Sequence, residues 1–242
     1  MANIDSARIK GIIFDYGGTL DTGGDHWSEV IWNAWQKCGM AADKPTFREA
    51  YVYAERELAR TLYILPHHNF RDLLGIKMRI ELQWLTEHGD FAPQDVESYA
   101  ARIADLCYAS ARKSIEAARP ILEALAARLP LVLVSNFYGN VEAVLKDFNL
   151  DTYFQKIVES AVVGVRKPDP SIFTLGCEAL GLPPENVLVI GDSYRKDIVP
   201  AESIGCQVLW LKGKGWTEAE DAQMHPNIIH SLGDVLRFLE TA

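Results

Sequence analysis

Three aspartates, a lysine and a serine stand in contexts that suit phosphoryl transfer. Asp15 opens Asp15-Tyr16-Gly17-Gly18-Thr19, and Ser135-Asn136 ends the run Leu131-Val132-Leu133-Val134. Lys167 sits in Gly164-Val165-Arg166-Lys167-Pro168, and Asp192 and Asp197 share Gly191-Asp192-Ser193-Tyr194-Arg195-Lys196-Asp197. A carboxylate at a strand end can attack phosphorus and form a covalent acyl phosphate. Carboxylates that would otherwise repel tolerate proximity around a hard divalent cation such as Mg²⁺. A hydroxyl, backbone N–H groups and an ammonium can hold the equatorial oxygens, where the transition state carries its charge. The glycines let the backbone come close to a ligand.

Each of these segments follows a short apolar run. Strands are expected over 8–14, 131–135, 156–159, 187–190 and 207–211, and their lack of alternation suits a sheet covered on both faces. Helices are expected over 120–128, 139–148, 170–180, 195–204 and 232–240, with Asp169 as the cap of the third and Gly181 as its stop. Strands alternating with helices mean βαβ units and a parallel sheet. The stretch 24–116 carries no strand signal. Its punctuation at Gly39, Pro66, Gly89 and Pro93 suggests four helices, the last over 93–114 with Pro at its first position. Trp32 and Trp35, three apart, should share a face. The expected architecture is a Rossmann-like doubly wound α/β core, residues 1–23 and 117–242, interrupted by an all-helical insertion over 24–116. In such sheets ligands bind beyond the carboxyl ends of the strands, where the polar segments above would converge.

The chain resembles the haloacid dehalogenase-like hydrolase superfamily, subfamily I with a C1 helical cap. Four motifs carry the resemblance, in order and across the whole core: Phe14-Asp15-Tyr16-Gly17-Gly18-Thr19-Leu20, Val134-Ser135-Asn136, Arg166-Lys167-Pro168-Asp169-Pro170-Ser171-Ile172-Phe173, and Gly191-Asp192-Ser193 with Asp197. The insertion is similar to the family's cap, which closes over the active site. The resemblance implies Asp15 as nucleophile and metal ligand and the Gly17 carbonyl as a backbone ligand to Mg²⁺. It implies Ser135 and the Asn136 N–H as phosphate holders, and Lys167 as the charge that offsets Asp15 and the phosphoryl group. Asp192 would bind Mg²⁺, and Asp197 would bind it or orient its waters.

One position departs from the pattern. Family phosphatases carry a second Asp two residues after the nucleophile, which protonates the leaving alkoxide; here that position is Gly17. General acid catalysis contributes ~10²–10⁴-fold. The leaving oxygen must then depart as an anion or draw its proton elsewhere, and Asp21, Asp25 and His26 are the nearest candidates in sequence. Dehalogenases of the family carry Tyr at that position, whereas Tyr16 is one residue early. Phosphonate-cleaving members carry a small residue there and recruit a cap lysine for a Schiff base; Lys37, Lys44, Lys77 and Lys113 are cap lysines, and no pattern singles one out.

Composition narrows the rest. The 242 residues carry a net charge of −9, which argues against a nucleic-acid surface. No apolar stretch is long enough for a membrane span, and the start has no signal-peptide pattern. Cys38, Cys107, Cys177 and Cys206 form no C-x-x-C pair, which suits free buried thiols in a reducing cytoplasm. Nothing specifies an oligomeric state. Trp27, Trp32, Trp35 and Trp84 read as core, His67-His68 as a surface turn, and Gly213-Lys214-Gly215 as a turn. The expected protein is a Mg²⁺-dependent phosphatase of small phosphorylated metabolites. The alternatives are a catalytically weak phosphate-ester binding protein, which would not need Asp15, Lys167 and two further carboxylates, and a phosphonatase- or dehalogenase-like hydrolase.

Overall fold

The computed structural model describes residues 4–89 and 91–240. Strands β1 (Gly11–Phe14), β2 (Leu131–Ser135), β3 (Lys156–Glu159), β4 (Val187–Gly191), β5 (Gln207–Leu211) and β6 (Ile228–Ile229) form one parallel sheet in the order β3-β2-β1-β4-β5-β6. Every residue of β1, β2 and β4 is buried, which is why these runs are apolar without alternation. The two-residue period survives in what each side chain meets. Ile12, Phe14, Leu133 and Ile190 join a core shared with the helical cap, while Ile13, Val132, Val134 and Val189 pack on the other face. The chain leaves β1 toward β2 and β3, then returns past β1 to β4. Phe14 lies opposite both Leu133 and Ile190. The residues just after β1, β2 and β4 therefore meet at the point where the strand order reverses.

Helices α1 (Trp27–Lys37), α2 (Lys44–Arg60), α3 (Phe70–His88) and α4 (Val96–Ala126) build the cap. Asp43 caps α2 by accepting the Thr46 N–H, and Asn69 and Asp72 close a capping box on α3. Trp32 and Trp35 of α1 both pack on Phe47, with ring centroids 5.3 and 4.9 Å away. The core helices are α5 (Val141–Asp147), the one-turn α6 (Ser160–Val163), α7 (Ser171–Leu180), α8 (Val199–Ser203), α9 (Glu218–Ala222) and α10 (Gly233–Glu240). Among the described residues no helix is long and apolar enough to cross a membrane.

Four local expectations change. The helices expected over 93–114 and 120–128 are one, α4, with Pro120 inside it and only a 3₁₀ turn at Pro93–Asp95 before it. An interior proline costs about 3 kcal/mol. The buried stripe Ile115, Ala118, Leu122 and Leu125 continues in phase across it and offsets that cost. The helix expected over 195–204 is a five-residue π turn, Tyr194–Ile198, followed by α8. Strand β6 and helix α9 are too short for periodicity to mark them. The cap position of α7 falls on Pro170, one residue past the expected Asp169, because the helix starts at Ser171; Asp169 Oδ1 still accepts the Ser171 N–H at 2.9 Å, and Gly181 ends the helix in a left-handed conformation as expected.

Helix α7 can lie close to the sheet because Gly176 has no side chain. A Cβ there would sit 2.7 Å from Ile13 Cδ1 and 2.8 Å from Val134 Cγ2. Gly176→Val should cost about 1–3 kcal/mol through overpacking and lower the thermal midpoint. An unchanged midpoint would show that this face repacks freely.

Candidate active site

The polar strand ends meet in a cavity of about 160 Å³ between the sheet and the cap. Asp15 stands one residue past β1, its N–H donating to the Ile190 carbonyl at 3.0 Å. Lys167 Nζ donates to Asp15 Oδ1 and to Asp197 Oδ1, each at 2.6 Å. The Ser135 hydroxyl donates to Asp15 Oδ1 at 3.2 Å. Thr19 Oγ1 lies 3.2 Å from Asp15 Oδ2 and 3.1 Å from Asp192 Oδ1. Asp15, Gly17, Ser135, Asn136, Lys167, Asp192 and Asp197 all line the cavity, so the residues named from sequence are brought together.

Local structure holds each of them. The Asn136 side chain clamps the Lys167 backbone in both directions, accepting its N–H at 2.9 Å and donating to its carbonyl at 3.0 Å. Sequence alone pointed only to the Asn136 backbone; the side chain ties the loop after β2 to the loop that carries Lys167. The π turn aims Asp197 inward, where its Oδ2 accepts the Ser193 N–H at 2.9 Å. Such turns concentrate at functional sites because the extra residue redirects one side chain. Gly18 has φ +95°, and a Cβ there would collide with the Asp192 carboxylate. Glycine answers both demands.

The electrostatics are those of crowded carboxylates around one ammonium. Burial pulls the Lys167 pKa down, but Asp15 and Asp197 outweigh it and push it up to about 12. Burial, reinforced by Asp15 and Asp197, raises the Asp192 pKa well above the carboxylate range. Burial likewise raises that of Asp197, with Lys167 opposing. Asp15, Asp192 and Asp197 each present an oxygen within 4.8 Å of the other two. Hard oxygen donors with surplus negative charge fit a divalent cation such as Mg²⁺. Both oxygens of Asp197 and of Asp15 already accept hydrogen bonds, whereas among the described residues Thr19 is the one donor to the Asp192 carboxylate, which makes Asp192 the most available ligand.

Position 17 is open: a Cβ there meets nothing within 4 Å. The residues that could replace its acid are engaged elsewhere. Asp21 is buried, accepting from the Gly18 N–H at 2.7 Å and Trp27 Nε1 at 3.0 Å; burial raises its pKa to about 8. Asp25 accepts the Lys214 N–H at 2.8 Å. His26 lines the cavity, but its Nδ1 takes the Ser28 N–H as the cap of α1. Burial, then Lys196 and Lys77, lowers its pKa to about 4. Tyr16 is fully buried edge-on between Phe70 and Phe137, outside the cavity lining.

The cap contributes residues that the sequence reading did not single out. Lys77 of α3 and Glu55 of α2 form an ion pair on the cavity wall, and the Tyr138 hydroxyl reaches Glu55 at 3.2 Å from the loop after β2. Glu81, one turn beyond Lys77, is fully buried with no hydrogen-bond partner on either oxygen among the described residues, and burial raises its pKa to about 8. A signal existed: the buried stripe of α3 runs Phe70, Leu73, Leu74, Lys77, Met78, Glu81, Leu82, Leu85. Two charges at i and i+4 on an apolar stripe demand a reason. Trp27 also lines the cavity. All four cysteines are free and buried, as expected.

A family model described as haloacid dehalogenase-like hydrolase matches residues 9–205. Haloacid dehalogenase-like hydrolase domain-containing protein 3 of Danio rerio is 39% identical over 82 residues, 34% of this chain and 34% of the relative. A glyceraldehyde 3-phosphate phosphatase of Pyrococcus furiosus is 31% identical over 101 residues, 41% of this chain and 42% of the relative. The chain thus spans well under half the length of these curated relatives. Among solved structures, a 2-haloacid dehalogenase from Pseudomonas syringae pv. Tomato DC3000 superposes with a TM-score of 0.53 at 21% identity, covering 96% of this chain and 99% of that one. That likeness speaks for the fold.

Proposed function

Because the chain belongs to the haloacid dehalogenase-like hydrolases, we propose that it is a Mg²⁺-dependent phosphatase of small phosphorylated metabolites that works through a phosphorylated Asp15. The observation that carries this reading is the bridge of Lys167 between Asp15 and Asp197, with Ser135 on Asp15 and Asp192 within reach. A pure phosphate binder has no use for three carboxylates facing its anion. The named phosphatase relative supports the same direction. In this reading residues 24–116 are the cap and 1–23 with 117–242 the core, with the boundary inside α4 (Val96–Ala126), which runs unbroken from the cap into the core. Free buried thiols support a reducing cytoplasm.

The chain's own groups divide the work. Lys167 and Ser135 hold Asp15 through Oδ1, and Oδ2, which accepts only from the Thr19 hydroxyl, is the oxygen that attacks. Ser135, Lys167 and the Asn136 N–H face the phosphoryl oxygens. Mg²⁺, held by Asp15, the Gly17 carbonyl and Asp192, with Asp197 ligating it or orienting its waters, would neutralise charge on the phosphoryl group. The dehalogenase alternative lacks its tyrosine, since Tyr16 is packed away from the cavity. The phosphonate-cleaving alternative gains Lys77, the cap lysine on the cavity wall. An imine-forming lysine must be a free amine, however. Burial pulls the Lys77 pKa down, but Glu55 outweighs it and the pKa rises.

The test is turnover of nitrophenyl phosphate and a panel of phosphorylated metabolites, with Mg²⁺ and with a chelator, against 2-haloacids. Chelator-insensitive release of halide would overturn the reading. Gly17→Asp should raise turnover of alkyl phosphates relative to aryl phosphates in a chain that has no other acid for the leaving oxygen, by up to ~10²-fold, because the space at position 17 admits the side chain. A leaving-group dependence identical to wild type would show that the new carboxyl does not reach the oxygen.

A further inference from the structure

We propose that Lys77 supplies the proton to the departing oxygen of an alkyl phosphomonoester, reaching from the cap to do what position 17 cannot. The inference rests on the phosphatase reading and adds a catalytic residue and a leaving-group class to it.

Four observations carry it. Position 17 is empty space, Asp21 and Asp25 accept backbone N–H groups, and His26 Nδ1 takes the Ser28 N–H. Lys77 is 4% exposed, yet lines the same cavity as Asp15, Gly17 and Lys167. An ammonium has three donors, and among the described residues Lys77 has Glu55 as its one hydrogen-bond partner, with the Tyr51 ring centroid 4.2 Å away. A charged donor with unspent protons is thus left in a small cavity. Finally, Tyr138 of the core binds Glu55 of the cap, so the group that holds Lys77 is itself tied to the loop that follows Ser135. The apolar wall of Ile31, Phe70, Leu73 and Leu74 beside it suits a short aliphatic leaving group.

The step balances. An Asp15 carboxylate oxygen forms its bond to phosphorus while the ester P–O bond breaks and its electron pair stays on the leaving oxygen. A proton of the Lys77 ammonium goes to that oxygen, and the alcohol leaves. Lys77 remains as an amine beside the Glu55 carboxylate. In the second half, the water that cleaves the acyl phosphate gives its proton to that amine, restoring the ammonium. The sum is ester plus water giving alcohol plus phosphate.

The experiment is a leaving-group series from nitrophenyl phosphate to simple alkyl phosphates with Mg²⁺ present, run on wild type, Lys77→Met and Lys77→Arg. Wild type should show a shallow dependence on leaving-group pKa. Lys77→Met should lose turnover increasingly as that pKa rises, by about 10²-fold or more for alkyl esters. If loss of the charge beside Glu55 and Glu81 unfolds that variant, Lys77→Arg decides. Arginine keeps the charge but does not give up its proton, so its slope should steepen with little change in KM. A wild-type slope already steep overturns the inference, as does an unchanged slope in whichever variant folds. A raised KM confined to carboxylated esters, with the slope unchanged, makes Lys77 an anion anchor and also overturns it. If wild type turns over no phosphomonoester at all, the phosphatase reading falls and this with it.

Discussion

Asp15→Asn should yield a folded protein whose phosphatase turnover is lower by ~10⁴-fold or more, the scale on which enzymes lose rate when their nucleophile is removed. The amide is nearly isosteric but has no charged oxygen to attack phosphorus. The fold should survive for an electrostatic reason. Asp15, Asp192 and Asp197 crowd three carboxylate oxygens within 4.8 Å of one another, so neutralising one relieves repulsion. Lys167 keeps its 2.6 Å partner Asp197, so no ammonium is left unpaired. Initial rates, a thermal melt and an intact mass that excludes deamidation make the measurement. Substantial turnover in the mass-verified Asp15→Asn protein would mean that water attacks phosphorus directly and that Asp15 serves only the metal.

Asp192→Asn should weaken Mg²⁺ activation and turnover together, and it should also show in a measurement that needs no substrate. Burial, Asp15 and Asp197 raise the Asp192 pKa in the folded chain. A carboxyl whose folded pKa lies above its unfolded value contributes stability below the unfolded pKa. It loses that contribution as pH rises through the folded value. Without Mg²⁺, wild type should therefore lose stability from the ordinary carboxylate range upward, and Asp192→Asn should lose less. Added Mg²⁺ should raise the wild-type midpoint, because a ligand of the folded state stabilises it, and should raise that of Asp192→Asn less. Equal Mg²⁺ shifts in both proteins would remove Asp192 from the metal site.

Much of the molecule was legible in the chain because the relevant signals are local. A strand buried on both faces must be an unbroken apolar run, so β1, β2 and β4 announce themselves. Parallel strands need helical crossovers, so alternation implies the sheet. Once the sheet is doubly wound, residues just past the strands converge by topology alone. Asp15, Ser135, Lys167, Asp192 and Asp197 could therefore be placed on one rim before any distance was known. The short elements were not legible. β6 spans two residues and α9 five, fewer than any period needs. Local chemistry makes Pro120 a helix start, but ten buried residues along α4 carry the helix through it.

What the sequence by itself determined is the fold class, the order of the motifs and the gap at Gly17. Only the tertiary structure decided what stands opposite that gap. Glu55, Lys77 and Tyr138 lie on three different segments, and no spacing in the chain relates them. They meet because α2 packs on α3 and Tyr138, from the loop after β2, reaches Glu55 on α2. Asp21 and His26 Nδ1 accept N–H groups two or three residues away, whereas Asp25 reaches across the fold to the Lys214 N–H. Strand ends are positioned by backbone hydrogen bonds, whose register local patterns reveal. Cap side chains are positioned by which helical faces bury together, and that depends on shape complementarity summed over the whole core.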